Sequence, residues 1–150
     1  MTRIHDAPST SLTPETLYAI LQLRAAVFVV EQDCAYLDPD GRDLEPGATQ
    51  VWAERDGTVV GALRLLEEPE GVRRIGRVVT AAGARSTGVA SALVEHALAL
   101  CGDRVVVLSA QAHLEGYYAR FGFVRSGPTF AEDRIPHVPM TRPAPGGAPS

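Results

Sequence analysis

The most constraining feature of this chain is a strand, a short loop and a helix that follow one another directly and lead into a second strand. A β-branched run at residues 75–80 precedes the loop 85–90, and an apolar helical pattern at Val89–Leu100 begins inside that loop. A continuous apolar run then follows and predicts a strand over residues 105–110, buried on both faces. Two strands joined through a helix lie parallel by a right-handed crossover. The sequence therefore predicts a parallel strand pair.

A helix and a long acidic loop precede this unit. Thr13 as a hydroxyl cap and Pro14 at the first helical position favour a helix start, and apolar residues at helical spacing predict a helix over residues 14–28. Residues 31–47 mix acids with prolines and glycines and are interpreted as a long surface loop. Its acids are either solvated or form a rim that attracts a cationic substrate.

The remaining segments predict antiparallel strands on both sides of the parallel pair. Asp56-Gly57 joins two β-favouring runs as a hairpin, so three antiparallel strands are expected before residue 85. A second helix is expected over residues 114–121, and final strands at 123–125 and 138–141. The fold class is α/β (α+β), with a mixed, mostly antiparallel sheet, a central parallel splayed strand pair and flanking helices.

Length and composition favour a single domain. A chain of 150 residues with 45% apolar content suits one core, which we place at residues 1–142. The Pro, Gly and Ala tail at 143–150 is expected to be disordered.

Charge and residue usage exclude several classes of protein. The net charge is −4 and the fourteen cations, all Arg, are scattered, so neither nucleic acid nor a membrane is an expected partner. The absence of Lys excludes a P-loop lysine and Schiff-base chemistry. His113 and His137 lack a third ligand at recognisable spacing, so no metal is expected. The polar N-terminus lacks a secretory signal, and a cytoplasmic protein is expected.

The loop at residues 85–90 is interpreted as an anion cradle. A small-residue turn that opens a helix presents free backbone N–H groups and the positive end of the helix dipole. Phosphate is the usual occupant of such sites, and Arg85 adds positive charge. The alternative is that the junction binds nothing and Arg85 is an ordinary surface cation.

Two motifs, in this order, resemble the Gcn5-related N-acetyltransferase (GNAT) superfamily. Residues 85–90 read Arg-x-x-Gly-x-Ala, and residues 117–123 read Tyr-Tyr-x-x-x-Gly-Phe, similar to the usual Phe-Tyr-x-x-x-Gly-Phe. Ala90 stands where Gly is common, and Tyr117 stands where Phe is usual. Ala is small like Gly and Tyr is aromatic like Phe, so both substitutions preserve the kind of contact at their position. Further segments resemble the ElaA-like branch and lie at residues 23–24, 27–32, 75–78, 110–114 and 135–137.

This resemblance implies the acyl-CoA N-acyltransferase fold and transfer of an acetyl group from acetyl-CoA to a primary amine of a small molecule or peptide. The cradle would hold the CoA pyrophosphate and the preceding strand the pantetheine arm. The implied CoA-binding residues are Val78, Val79, Thr80, Arg85, Ser86, Thr87, Gly88, Val89, Ala90 and Ser91. The implied acceptor-binding residues are Gln32, Arg77, Gln111 and His137.

The resemblance also suggests catalytic roles. Tyr118 would donate a proton to the CoA thiolate, although a tyrosine there also fits a plain core position. A strand N–H near Val79 or Thr80 would meet the oxyanion. His113 is the first choice as general base because its unperturbed pKa of about 6.5 suits neutral pH. Glu31 and His137 follow, and each of the three also fits a structural hydrogen bond.

Two other functions stay open at this point. One is a catalytically idle CoA-binding sensor with the same cradle, which would release no CoA from acetyl-CoA in the presence of amines. The other is an acyl-homoserine-lactone synthase, suggested by the spacing of Arg24 and Phe28. A monomer or a homodimer fits the sequence equally well.

Overall fold

The computed structural model describes residues 1–144, which form a mixed sheet with helices on both faces. The strands are β1 (Thr2–Pro8), β2 (Thr49–Arg55), β3 (Thr58–Glu67), β4 (Arg73–Thr80), β5 (Val106–Gln111), β6 (Val124–Arg125), β7 (Phe130–Glu132) and β8 (Ile135–Arg142). The helices are α1 (Pro14–Arg24), α2 (Val89–Cys101) and α3 (Glu115–Ala119). The strand order is β1-β2-β3-β4-β5-β8-β6, with β7 beside β8.

The central pair of the sheet, β4 and β5, is parallel, and the other described pairings are antiparallel. Pairing between β4 and β5 is confined to Arg73 with Val106 and Arg74 with Val107. Beyond these positions the two strands separate. The predicted fold class, including the splayed parallel pair, is confirmed.

Helix α1 starts as its capping residues predict. The side-chain oxygen of Thr13 accepts a hydrogen bond from the backbone N–H of Thr16 at 3.1 Å, and Pro14 occupies the first helical position. The helix continues as a π-helical segment, Ala25–Glu31, so helical structure extends three residues beyond the predicted end. Single π-helical turns are often found near functional sites. Within residues 1–144, no helix has both the length and the apolar character needed to cross a membrane.

The two faces of the sheet are set by strict alternation along the strands. In β2, Val51 and Ala53 pack in the core on the α2 side, whereas Trp52 between them packs with Ile20 of α1. Helices α1 and α2 therefore cover opposite faces.

Several predicted elements differ from the structure. β1 was not expected, because an edge strand with mostly polar residues has no apolar alternation. β7 was missed for the same reason, and all three of its residues are exposed.

The helix predicted over 114–121 is shorter, since α3 follows a 3-10 turn at residues 112–114. β5 is not buried on both faces: Val107 is half-buried and Ser109 is exposed. Residues 145–150 of the predicted tail lie outside the described residues.

The acidic loop is anchored by an arginine–aspartate cluster, whose buried members are Arg24, Asp38, Asp43 and Arg64 and which also includes the half-buried Arg77 and the exposed Asp40. Arg24 is 1% exposed and contacts both Asp38, Nε to Oδ2 at 2.9 Å, and Asp43, Nη1 to Oδ1 at 2.7 Å. Asp38 and Asp43 are buried, so the expectation of solvated acids or of an acidic rim is wrong for these two residues.

Candidate active site

The separation of β4 and β5 opens a cavity of about 490 Å³. Its walls include β4 residues 75–78 and β5 residues 108–111, together with Phe28 of the π-helical segment. A parallel pair that is hydrogen-bonded at one end and separated at the other leaves main-chain groups free to bind a ligand. The cavity therefore combines strand edges with side chains from several elements.

A β-bulge in β4 lies at this cavity. Gly76 pairs with Arg64 and Val79 with Ala62, so Arg77 and Val78 together lie opposite a single β3 residue. Arg77 has the left-handed φ of 52°, which is rare for a non-glycine residue. The bulge reverses the alternation, because Val78 packs towards the α2 side and Val79 towards the α1 side. The backbone hydrogen bonds between β3 and β4 are therefore interrupted beside the cavity.

The anion cradle has the geometry expected from the sequence. Gly88 has a left-handed φ of 84° and precedes the first residue of α2, and Ser86 has a φ of 63°. The first backbone bond of the helix runs from the N–H of Ala92 to the carbonyl of Gly88 at 3.0 Å. Among residues 1–144, no acceptor receives a backbone hydrogen bond from the N–H groups of residues 86–91. These donors face outward at the helix N-terminus.

Arg85 and Glu31 form an ion pair with each other. Two nitrogens of Arg85 lie 2.6 and 2.9 Å from the two carboxylate oxygens of Glu31. The hydrogen bonds from Arg85 hold the pKa of Glu31 below its usual range, which weakens this carboxylate as a proton acceptor. The pair connects the end of the π-helical segment to the cradle. No sequence pattern indicated that these two residues, which were predicted separately, contact each other.

Tyr118 is buried, with 6% of its surface exposed, and lines the cavity. Its hydroxyl makes no hydrogen bond within residues 1–144, and burial raises the pKa of this hydroxyl well above its ordinary value. The neighbouring Tyr117 differs, because its hydroxyl lies 2.9 Å from Oγ of Ser91 in α2. Tyr118 is thus a protonated donor with an unused hydrogen bond.

The three candidate bases occupy different environments. His113 is exposed in the turn before α3 and does not line the cavity. His137 is 9% exposed and lines the cavity. Its Nδ1 lies 2.8 Å from the carbonyl oxygen of Ile135, so Nδ1 is the protonated donor and Nε2 is free to accept a proton. Nε2 lies 3.6 Å from Oε2 of Glu132.

The cavity brings together the four residues that the resemblance suggested for acceptor binding, Gln32, Arg77, Gln111 and His137. Other cavity residues were missed by sequence reasoning, among them Cys34, Tyr36 and Arg64. A charged residue within the apolar face of α1 was an available signal: Arg24 interrupts that face, and an arginine there requires buried acidic partners. The acids of the following loop supply them.

An open sheet with this splay and an adjacent helix N-terminus is the architecture of an acyl-CoA N-acyltransferase. A solved acyl-CoA N-acyltransferase from Pseudomonas aeruginosa is 44% identical and superposes with a TM-score of 0.91, covering 95% of this chain and 99% of that chain. The solved ElaA of Escherichia coli is 36% identical, with a TM-score of 0.89 and the same coverage of 95% and 99%. A UPF0039 protein of Mycobacterium tuberculosis is 48% identical over 139 residues, 90% of this chain and 89% of that protein.

The sequence profile of the acetyltransferase (GNAT) domain matches residues 25–143. The chain belongs to the GNAT acetyltransferase family and to its ElaA-like branch. This membership makes it an acyl-CoA N-acyltransferase in general terms. An aminoglycoside 6′-N-acetyltransferase solved with coenzyme A has a TM-score of 0.71 at 13% identity, a likeness that shows the fold alone.

Proposed function

We propose that the protein transfers an acetyl group from acetyl-CoA to a primary amine of a small molecule or peptide. The observation that supports this most directly is that the N–H cradle follows the C-terminal end of β4, while Tyr118 lines the cavity that the separation of β4 and β5 opens. The cradle offers sites for an anionic group, and the cavity offers a proton donor. Acetyl-CoA needs both, since it has a pyrophosphate at one end and a thioester at the other.

The free N–H groups of residues 86–91 would bind the pyrophosphate, with the helix dipole adding to their effect. Arg85 lies at the cradle, and hydrogen bonds between charged groups are about twice as strong as neutral ones. The pantetheine arm would lie along Val78–Thr80, where β4 has separated from β5. This placement directs the thioester into the cavity.

The order of the proton transfers follows from the pKa values of the acceptor amine and of the CoA thiol. An alkyl ammonium with a pKa of about 10.4 must lose a proton before it attacks the carbonyl carbon. The new C–N bond forms while the carbonyl becomes an oxyanion, which the interrupted ladder at Arg77 and Val78 is placed to receive. The C–S bond then breaks, and the thiolate takes a proton from the Tyr118 hydroxyl. The second amine proton leaves as the amide forms and returns to the Tyr118 oxygen, directly or through water.

We assign the general base to His137 rather than to His113 or Glu31. His137 lines the cavity with a free Nε2, whereas His113 is exposed outside it and Glu31 is paired with Arg85. Nε2 would accept the ammonium proton directly or through one water molecule. The proton is then released to solvent, so that each cycle produces one amide, one thiol and one proton.

Replacing Gly88 with Glu is expected to abolish CoA binding in titration calorimetry, because a carboxylate would lie among the N–H groups that bind the pyrophosphate. Among the described residues 1–144, no neighbouring atom lies within 4 Å of a Cβ built at Gly88, so the side chain has room there, although the positive φ disfavours it. Gly88→Asn is the matched control, since Asn tolerates this φ and has no charge. Undiminished CoA affinity in a folded Gly88→Glu protein would contradict the assignment of the cradle.

A further inference from the structure

The charged groups of the cavity are separated along its length. Arg74 lies at the closed end, where β4 pairs with Val107 of β5, and His137 lies at the open end beside Gln111. Val107 and Gln111 are four residues apart on β5, so the closed end and the open end are roughly 13 Å apart along the strand. Four arginines line the cavity, namely Arg42, Arg64, Arg74 and Arg77, and Arg74 lies at the closed end with Arg64 close by, opposite Gly76. The open end contains the exposed acids Glu132 and Asp133.

The arginines at the closed end are partly neutralised by acids. Arg64 binds Asp40 through two nitrogens at 2.8 and 2.9 Å and contacts Asp43 at 3.1 Å. Its Nε, however, is buried and has no hydrogen-bond partner among residues 1–144. An unpaired guanidinium N–H in a residue that is 4% exposed is costly unless a ligand accepts from it. This donor is the strongest indication of what the closed end binds.

Space beside this donor is kept open by Gly76, the cross-strand neighbour of Arg64. A Cβ built at Gly76 has one heavy atom within 4 Å, the Nε of Arg64 at 3.7 Å. Arg74 lies on the same strand, and its Nε forms an ion pair with Glu68 at 3.4 Å. An acceptor atom in this space would meet the Arg64 N–H and the Arg74 guanidinium together.

We propose that the acceptor amine has a carboxylate, which binds at the closed end against Arg64 and Arg74. This inference rests on the proposed acetyl transfer at the same cavity. A carboxylate suits arginine because its oxygens accept charge-assisted hydrogen bonds from two directions. Glu132 and His137 at the open end suit the ammonium group. Because the two ends are roughly 13 Å apart and an extended chain spans about 3.4 Å per residue, the substrate class is a short peptide of about four residues with its carboxylate free, rather than a single amino acid or a polyamine.

The test compares four tetrapeptides, three alanines followed by alanine, glutamine, lysine or phenylalanine, with their C-terminal carboxamides as acceptors of acetyl from acetyl-CoA. The carboxylate form of at least one pair is expected to have a kcat/KM about 10- to 100-fold above its amide, as one or two hydrogen bonds to a charged group would give. Gly76→Ala and Arg74→Gln are expected to remove this preference. Arg3→Gln is the matched control, since Arg3 is exposed on β1 far from the cavity, and it should keep the preference.

Calorimetry supplies a readout that does not depend on turnover. The N-acetyl forms of the same tetrapeptides, titrated into the CoA-loaded protein, should bind more tightly than their C-terminal carboxamides, and Gly76→Ala should remove the difference. Equal use of acids and amides, or equal binding of the acetylated pairs, would overturn the carboxylate assignment while leaving the acetyltransferase function intact. Absence of CoA binding would instead overturn the proposed function.

Discussion

Replacing Tyr118 with Phe is expected to lower kcat for acetyl transfer by about 100-fold or more, the usual effect of removing a positioned proton donor. CoA should bind with unchanged affinity, because the cradle lies on a different element from this hydroxyl. Burial raises the pKa of Tyr118, so the hydroxyl, rather than a tyrosinate, is present at neutral pH. Steady-state kinetics and calorimetry of the two proteins measure the two quantities.

Tyr117→Phe is the control for this experiment. It removes a hydroxyl from the adjacent residue, whose own hydrogen bond is to Ser91 at 2.9 Å, and restores the aromatic residue that is usual in the family motif. Its kcat should stay close to that of the wild type. A full-rate Tyr118→Phe enzyme would show that the thiolate takes its proton from water or from another group.

Replacing Asp43 with Ala is expected to lower the free energy of unfolding by about 3–5 kcal/mol, the range for removing one partner of a buried ion pair. Asp43 accepts from Arg24 at 2.7 and 3.1 Å, from Arg64 at 3.1 Å and from Gln50 at 3.0 Å. The variant leaves these buried donors without their acceptor. Urea unfolding measures the loss, and Asp103→Ala, at an exposed position, is the matched control.

The same cluster predicts how stability depends on pH. Burial alone would raise the pKa of Asp43, but hydrogen bonds and charge from Arg24 outweigh it and hold the pKa below its usual range. The stabilisation is therefore complete above the unfolded-state pKa of about 3.9 and is lost as the pH falls through the folded-state value. The wild type should lose stability below about pH 4, and Asp43→Ala should lose less. If the wild type and Asp43→Ala lost the same amount of stability as the pH fell, this role of Asp43 would be contradicted.

The parts of the fold that follow local rules were predictable from the sequence. Thr13 and Pro14 determine where α1 begins, and Asp56-Gly57 forms the predicted hairpin turn with positive φ at both residues. The cradle was also predictable, since a strand, a small-residue turn and a helix fix its geometry. Membership of the GNAT family confirms the resemblance drawn from residues 85–90 and 117–123.

What the sequence could not supply depends on contacts between distant residues. The pair of Arg85 and Glu31 joins residues 54 positions apart, and the role of Asp43 depends on Arg24 and Arg64. The bulge at Arg77 has no local signal either, because a left-handed arginine in a β-branched strand contradicts its own propensity. The site is therefore less predictable than the fold, since its side chains are positioned by tertiary packing.

The most direct test of the central claim is mass spectrometric detection of isotope-labelled acetyl transfer from acetyl-CoA to a panel of amines, amino acids and short peptides. We expect the wild type to place the label on an amine with release of an equal amount of CoA, and Gly88→Glu to transfer none. A wild-type protein that binds CoA in calorimetry but acetylates no member of the panel would contradict acetyl transfer at this site and would favour a CoA-binding module without catalytic activity.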